Sequence, residues 1–415
     1  MRFARWIPGR REKRLLMRIL VLDGNQNQAV ACVRSLARQG HNVLVGEGQP
    51  WSKAGWSRFS AGTFQYASPQ SQPDRFLEDV IAQSTKEIAS LVLPMTEATT
   101  LMISAHRDRF AAAGARLVLP THADLLRAVD KSQTTQLAQS LGMAVPKTLT
   151  LACIDEIPDA VHAMQFPVVL KPRTSEEISN QGGVRATGRP RYATDFTQFQ
   201  QALSEMRKIC TSILVQEFVD GAGTGYFALM NQGQLRAEFA HRRIRDVHPT
   251  GSGSALRESV PLNPKIRDSS LALLKALNWH GVAMVEFRLR DDGVPVFLEV
   301  NGRFWHSLAL ACFAGADFPA LLARMAEFGD VERPTAYTTG VPCRWLMGDF
   351  RHLVEVWKGR PPGYPGYFPG RWSTLLAELL PRPGTFHDNF MWQDPLPELG
   401  DWIRFVQQIR ERGIY

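Results

Sequence analysis

Apolar residues in the first third of the chain fall into short solid runs separated by stretches with helical spacing. RILVLDG comes first, a turn passes through Asp23, Gly24 and Asn25, and apolar positions then recur at Ala29, Val33, Leu36 and Ala37. Solid runs of this length predict buried strands, and recurrence every three to four residues predicts an amphipathic helix. HNVLVGEG follows Gly40 as a second strand, so the opening is a βαβ unit and predicts a parallel, doubly wound sheet. The alternation continues with a helix over 73–88, the strand SLVLP at 90–94, a helix over 97–112, the strand RLVLP at 116–120 and a helix over 122–141.

After VPKT the texture changes. PVVLKP at 167–172 reads as strand, NQGGVRATGRPRYA as a glycine-rich loop, 195–209 as helix and SILVQEFV at 212–219 as strand. DGAGTGYFALM reads as another glycine-rich turn, and strand-rich segments fill 226–300 around a helix over 264–278. In VPVFLEVNGRF, Val296, Leu298 and Val300 alternate with Phe297, Glu299 and Asn301, which puts Glu299 and Asn301 on one strand face. VAMVEFRL carries Glu286 on the preceding strand, across a turn at Asp291, Asp292 and Gly293. Three oxygen-bearing side chains so placed suit a hard octahedral cation completed by phosphate oxygens, although a hairpin with a polar wet face accounts for the same letters.

The 415 residues, 44% hydrophobic and 21% charged, are those of a globular protein with two to four structural units and exclude a disordered chain. Cys32, Cys153, Cys210, Cys312 and Cys343 are scattered without metal-ligand spacing, as expected of reduced thiols in a cytoplasmic protein. The formal charge of +8 favours an anionic partner, and part of it sits in MRFARWIPGRREKRLLM. That stretch lacks the apolar core of a signal peptide, so residues 1–16 are expected to be a basic tail, with Met17 a second possible start. SLALACFAGADFPALLARMA is interrupted by Asp317, Pro319 and Arg324 and reads as two buried helices rather than a membrane span. From about 331 the chain is rich in aromatics and proline, with Trp345, Trp357, Trp372, Trp392 and Trp402. These are expected in the core or lid of a small appended unit, with peripheral membrane contact, there or at the basic tail, as the competing use. No nucleic-acid partner is expected. The single glycine of the first turn fails the GxGxxG fingerprint, which argues against a dinucleotide site.

Taken in order, Lys131, Lys171, QEFV at 216–219, Glu286 and ExNxR at 299–303 resemble the ATP-grasp superfamily over roughly residues 17–330. Within it, LRAVDKSQTTQLAQSLGMAVPKT, HRRIRDVHPTGSGSALRES and FLEVNGRFWHSLALA look most like the carboxylate-amine ligases, a group that includes D-aspartate ligases and remote relatives of carbamoyl-phosphate synthase. The resemblance implies a fold of α/β and α+β parts. A Rossmann-like pre-ATP-grasp domain would occupy 17–121 and a two-lobed ATP-grasp domain 122–330, with a small lobe at about 145–219 and a large lobe at about 220–330. A small C-terminal extension would occupy 331–415.

It also implies ATP with Mg2+, Mn2+ being the alternative ion. Lys131 and Lys171 would contact phosphates, Gly182 and Gly183 would lie in a loop covering them, and Gln216, Glu217, Phe218 and Val219 would form the adenine hinge. Glu286, Glu299 and Asn301 would be the metal ligands. Arg303 would stabilise an acyl phosphate, with a structural salt bridge as its competing role, and Arg243 and Arg257 would bind the acid substrate or acyl phosphate. His306 is conceivable as a base for the amine. Many relatives place an acidic residue just after the hinge glycine to grip the ribose; here Gly221 is followed by AGTG, leaving Asp220 as a poor substitute. The implied reaction joins a small-molecule or peptide carboxylate to an amine through an acyl phosphate, releasing ADP and phosphate, in a protein for which a homodimer is expected. Carboxylase or carbamoyl-phosphate-type chemistry, and a nucleotide-sensing protein without catalysis, are the alternatives.

Overall fold

The computed structural model describes residues 17–84, 90–152, 157–178, 184–380 and 382–412, so the basic tail, Cys153, Gly182 and Gly183 lie outside the described residues. The first apolar runs form a five-stranded parallel sheet in the order Gly62–Gln65, Asn42–Glu47, Arg18–Val21, Ser90–Leu93, Ala115–Arg116. The Gly62–Gln65 edge strand is half exposed along its length, which is why its letters carry no apolar run. The strand expected at 116–120 shrinks to Ala115–Arg116, and beyond it the Val118 carbonyl lies against Gly281, where an added Cβ would stand 2.5 Å from it.

Asp23, at the end of the first strand, adopts φ 55°. Its carboxylate accepts the N–H groups of Met95 and Thr96 and the hydroxyls of Thr99 and Tyr66, at 2.6–3.0 Å. The crevice at the carboxyl ends of the strands, where doubly wound sheets bind ligands, is thus closed by the protein's own hydrogen bonds. Tyr66→Phe removes one of them from a buried carboxylate and should cost about 1–3 kcal/mol in urea unfolding; an unchanged midpoint would show that the tyrosine hydroxyl contributes nothing there.

Two expected helices are broken, each with a local cause. The helix over 97–112 divides at His106, φ −117°, into Glu97–Ala105 and Arg107–Ala112. The helix over 122–141 divides at Asp130, whose carboxylate accepts the N–H groups of Ser132 and Gln133 and so caps a new helix, Lys131–Ser140. Next come the antiparallel strands Arg191–Ala193, Val168–Pro172, Ser212–Glu217 and Thr148–Ala152, in that order, backed by the helix Phe196–Met206.

A seven-stranded sheet follows, ordered Pro295–Asn301, Gly281–Leu289, Ala222–Asn231, Gln234–Arg245, Leu256–Ser259, Pro342–Arg344, Phe386–His387. The segment read as a glycine-rich turn after Asp220 is therefore mostly strand. Its glycines make room across the pleat: a Cβ on Gly225 would stand 2.6 Å from the Phe227 ring, and one on Gly223 3.0 Å from Arg243 Cδ. Side chains alternate as a two-residue period demands. Tyr226, Ala228 and Met230 pack with Trp279, Val285 and the helix Pro264–Ala276, whereas Phe227 and Leu229 pack with Trp305 and the helices Leu308–Phe313 and Phe318–Phe328. Val33 and Leu36, from the helix Asn27–Arg38 of the first domain, share that second core.

The segment from 331 supplies the last two strands of this sheet, docks on the first domain through the buried ion pairs Arg34–Asp394 and Lys53–Asp401, and is tied to the sheet itself by Arg257–Asp388. Trp345 is buried in this junction, whereas Trp372 and Trp392 are 72% and 87% exposed. Among the described residues no helix is long and apolar enough to cross a membrane.

Candidate active site

The antiparallel pairing of Gly281–Leu289 with Pro295–Asn301 sets Glu286 directly opposite Glu299, with a bulge immediately after the pair. Arg243, from the strand two places away, donates from Nη2 to Glu286 Oε1 at 2.5 Å and from Nη1 to Asp246 Oδ1 at 3.5 Å. Gly223, which lacks a Cβ, lets the Arg243 side chain pass. Asn301 Nδ2 donates to Glu299 Oε1 at 3.2 Å, which leaves the amide oxygen of Asn301 directed away from that contact. Lys131 approaches from the other side. The cap at Asp130 starts a new helix there, and Lys131 Nζ lies 3.8 Å from Glu299 Oε2 while donating to Ser175 Oγ at 2.8 Å.

Lys171 is the penultimate residue of Val168–Pro172, whose Val168 and Leu170 face the core of the small lobe. Its ammonium is pushed down to about 8 by burial and by Lys131, against the opposing pull of Glu299 and Glu286. The two carboxylates respond differently to the same burial. Glu299 is held below its ordinary range because Lys131 and Lys171 outweigh desolvation, whereas Glu286 is raised because burial and the charge of Glu299 outweigh Arg243. Two lysines that need anions and two carboxylates that repel each other thus share one partly buried junction between the lobes.

Of the other expected site residues, Arg303 reaches the same region, where its charge acts on Glu299 and on two further acids, Glu97 and Glu176. It donates to the Phe304 carbonyl at 3.0 Å and makes no ion pair among the described residues. At the hinge, the N–H groups of Glu217 and Phe218 are taken by the carbonyls of Lys147 and Pro167, and Gln216 donates to Thr148 Oγ1. A base edge would therefore meet the N–H of Val219 and the carbonyls. Tyr192 and Tyr364 pack edge-on to the Phe218 ring at 6.2 and 5.9 Å, so the C-terminal segment reaches the hinge. Asp220 caps its own turn by accepting the Gly221 N–H.

Arg257 is not brought to the carboxylates. It pairs with Arg243 in the strand ladder, but its guanidinium is fully buried against Asp388 and serves the junction with the C-terminal segment. His241 is buried with Nε2 on Ser307 Oγ, and the His306 ring lies tilted against Trp345 with centroids 4.4 Å apart. Residues absent from the sequence expectation are Asp130, Arg173, Ser175, Asp246, Glu97 and Glu176. The Asp-Lys step at 130–131 is an N-cap signature that would have found the first of these. Glu97, just past the carboxyl end of a parallel strand, stands where such sheets carry functional groups.

The donor set fits a hard divalent cation. Glu286, Glu299 and the outward amide oxygen of Asn301 are all oxygen ligands, and the mutual repulsion of the two carboxylates is relieved by a positive charge between them.

A parallel-sheet domain followed by two lobes that bring together paired lysines and carboxylates is the architecture of the ATP-grasp fold. Residues 210–348, about a third of the chain, match the family described as "ATP-grasp in the biosynthetic pathway with Ter operon". The chain is 26% identical over 188 residues to the vancomycin/teicoplanin A-type resistance protein VanA of Enterococcus faecium, covering 42% of this chain and 52% of that one. The chain spans about half the length of the curated relatives it matches first. Among solved structures, biotin carboxylase from Campylobacter jejuni superposes with TM-score 0.61 at 14% identity, over 78% of this chain and 74% of that one. L-amino acid ligase from Bacillus licheniformis superposes with TM-score 0.56 at 16% identity, over 77% and 76%. At these identities the superpositions establish the fold.

Proposed function

We propose that the protein is an ATP-dependent carboxylate-amine ligase, and the observation that carries this reading is the register pair Glu286–Glu299 enclosed by Lys131, Lys171 and Arg243. Its similarity to a putative D-alanine–D-lactate ligase of Streptomyces coelicolor, 26% identical over 190 residues, supports ligase chemistry. Mg2+ held by Glu286, Glu299 and Asn301 would offset phosphate charge when bound. The chain's own residues do the rest. Lys131 and Lys171 bind the phosphates from the two lobes, and the Val219 N–H and hinge carbonyls hold the base. Arg303, which makes no ion pair among the described residues, receives the substrate carboxylate and stabilises the charge of its acyl phosphate. Converting carboxylate oxygen into phosphate supplies the leaving group that an amine can displace. A homodimer acting in the cytoplasm on small molecules belongs to the same proposal, and light scattering in solution reads the oligomeric state.

The test is phosphate release from MgATP across amino acids and small carboxylic acids, supplied singly and in acid–amine pairs. Release that requires one of each establishes the ligase. Release stimulated by bicarbonate alone, or MgATP binding with no release in any combination, would replace it.

Lys171→Met gives an independent check with two opposed expected effects. Lys171 has a folded-state value lowered to about 8, so between about 8 and its ordinary value the unfolded chain binds more protons and the penalty disappears as pH rises. At pH 7 the penalty is fully present. The ligand-free variant should therefore be more stable than the wild type by about 1–3 kcal/mol, a gain that fades as pH rises above about 8. ATP affinity should fall roughly 10- to 100-fold, the worth of a charge-assisted hydrogen bond. Calorimetry showing unaltered ATP affinity would remove Lys171 from the phosphate site.

A further inference from the structure

Glu97 and Glu176 come from different parts of the chain and meet beside the proposed phosphate site. Glu97 opens the helix that follows the Ser90–Leu93 strand, and Glu176 opens the strand Glu176–Ile178, five residues beyond Lys171. The Glu97 carboxylate accepts the backbone N–H of Glu176. Each side chain nevertheless keeps one oxygen, Glu97 Oε1 and Glu176 Oε2, shielded from solvent without a hydrogen-bond partner among the described residues. Buried polar atoms left in this way are rare and call for a missing donor. Neighbouring cations do not supply it: Lys131 is engaged by Ser175 and Glu299, and the Arg303 guanidinium donates to the Phe304 carbonyl. An ammonium group, with three donors and a positive charge, matches two unpaired carboxylate oxygens.

We propose that Glu97 and Glu176 form the subsite for the ammonium group of the amine substrate, with Glu176 taking the proton that the nitrogen must lose before it attacks. This rests on the ligase reading. Of the three protons on the ammonium nitrogen, one passes to the Glu176 carboxylate, one leaves with phosphate as hydrogen phosphate, and one stays in the amide. The nitrogen lone pair forms the C–N bond, and the acyl C–O bond breaks with its electrons on the phosphate oxygen. Arg303, next to both acids, would hold the acyl group within reach.

Electrostatics support the assignment. Glu176 is raised to about 7 by burial and by Glu97, against Arg303. Glu97 is raised by burial and by Glu299, against Lys131 and Arg303. A base matched to neutral pH is the efficient one. His306, the alternative base, is held neutral far below the usual imidazole range by burial and by Lys53, Arg257, Arg303 and Arg351, which makes it a poor proton acceptor.

The test compares two nucleophile probes on the acyl phosphate formed from MgATP and the acid panel. Hydroxylamine is uncharged at neutral pH and needs no ammonium site, whereas ammonium chloride and the twenty L-amino acids present a protonated nitrogen. In Glu176→Gln, hydroxamate formation should drop no more than several-fold, while amide formation should fall about 10²-fold or more. The rise of the wild-type amide rate with pH through about 7 should vanish with it. Glu97→Gln should raise the amine KM more than it lowers kcat, and retained hydroxamate formation reports that both variants fold. Equal losses with both kinds of probe, or an unchanged pH profile, would overturn the subsite. So would a wild type that makes hydroxamate but no amide from any protonated probe. A wild type that makes no hydroxamate from any acid would instead remove the ligase reading on which the subsite depends.

Discussion

Glu299→Gln should lower MgATP-dependent phosphate release by about 10²- to 10³-fold, the loss typical of removing one preorganised electrostatic group from a reacting centre. The substitution preserves shape and the contact with Asn301 but deletes the one charge that both lysines face. Lys131 and Lys171 hold Glu299 below its ordinary range against burial, and its removal leaves Lys171 facing Glu286 and Lys131 facing Glu97. Those lysines are then less favourable as cations until phosphate arrives. The ligand-free fold should persist, since Val300 and Phe297 keep the strand in its core. Binding of ATP without metal should change less than binding of MgATP, and calorimetry with and without the ion separates the two. Unaltered phosphate release would take Glu299 out of the reacting centre and leave the register pair as a structural feature of the sheet.

Much of this site was legible because strand periodicity fixes faces. The alternation through Val296–Asn301 placed Glu299 and Asn301 together, and a two-strand hairpin brought Glu286 opposite them. Lys171 was legible as a charge ending an apolar strand. Register across distant strands leaves no such mark in the letters. Arg243 and Arg257 looked equivalent in one basic segment and even pair in the ladder, but one side chain meets Glu286 and the other Asp388, 131 positions away in sequence. The Glu97–Glu176 meeting is equally illegible, because it depends on how the first domain seats against the small lobe. Glycine misled locally: Gly223 and Gly225 signal a turn by composition, yet they serve a strand whose neighbours need the space. Propensity yielded there to packing, as it does wherever a side chain from the next strand must cross the pleat.

Asp388→Ala should destabilise the protein by about 3–5 kcal/mol, the cost of leaving a buried charge without its partner. Arg257 and Asp388 are both fully buried, so no water can replace the lost carboxylate. Asp388 also accepts a hydrogen bond from Asn27 Nδ2 at 3.3 Å and faces Cys343 Sγ, which ties the first domain, the large-lobe sheet and the C-terminal segment at one point. The neighbouring pairs Arg34–Asp394 and Lys53–Asp401 depend on the same docking, so the loss should extend beyond one ion pair if the segment loosens. Replacing both partners, Arg257→Met with Asp388→Leu, should recover most of the loss, because an apolar pair of similar volume removes the desolvation cost instead of exposing it. Urea unfolding of the two variants reads the difference directly. An appended unit outside the folding core would give a small loss in Asp388→Ala and no recovery in the double variant. A large loss with recovery makes the segment from 331 an integral part of the large lobe, and through Tyr364 against Phe218 it then also fixes the wall beside the nucleotide hinge.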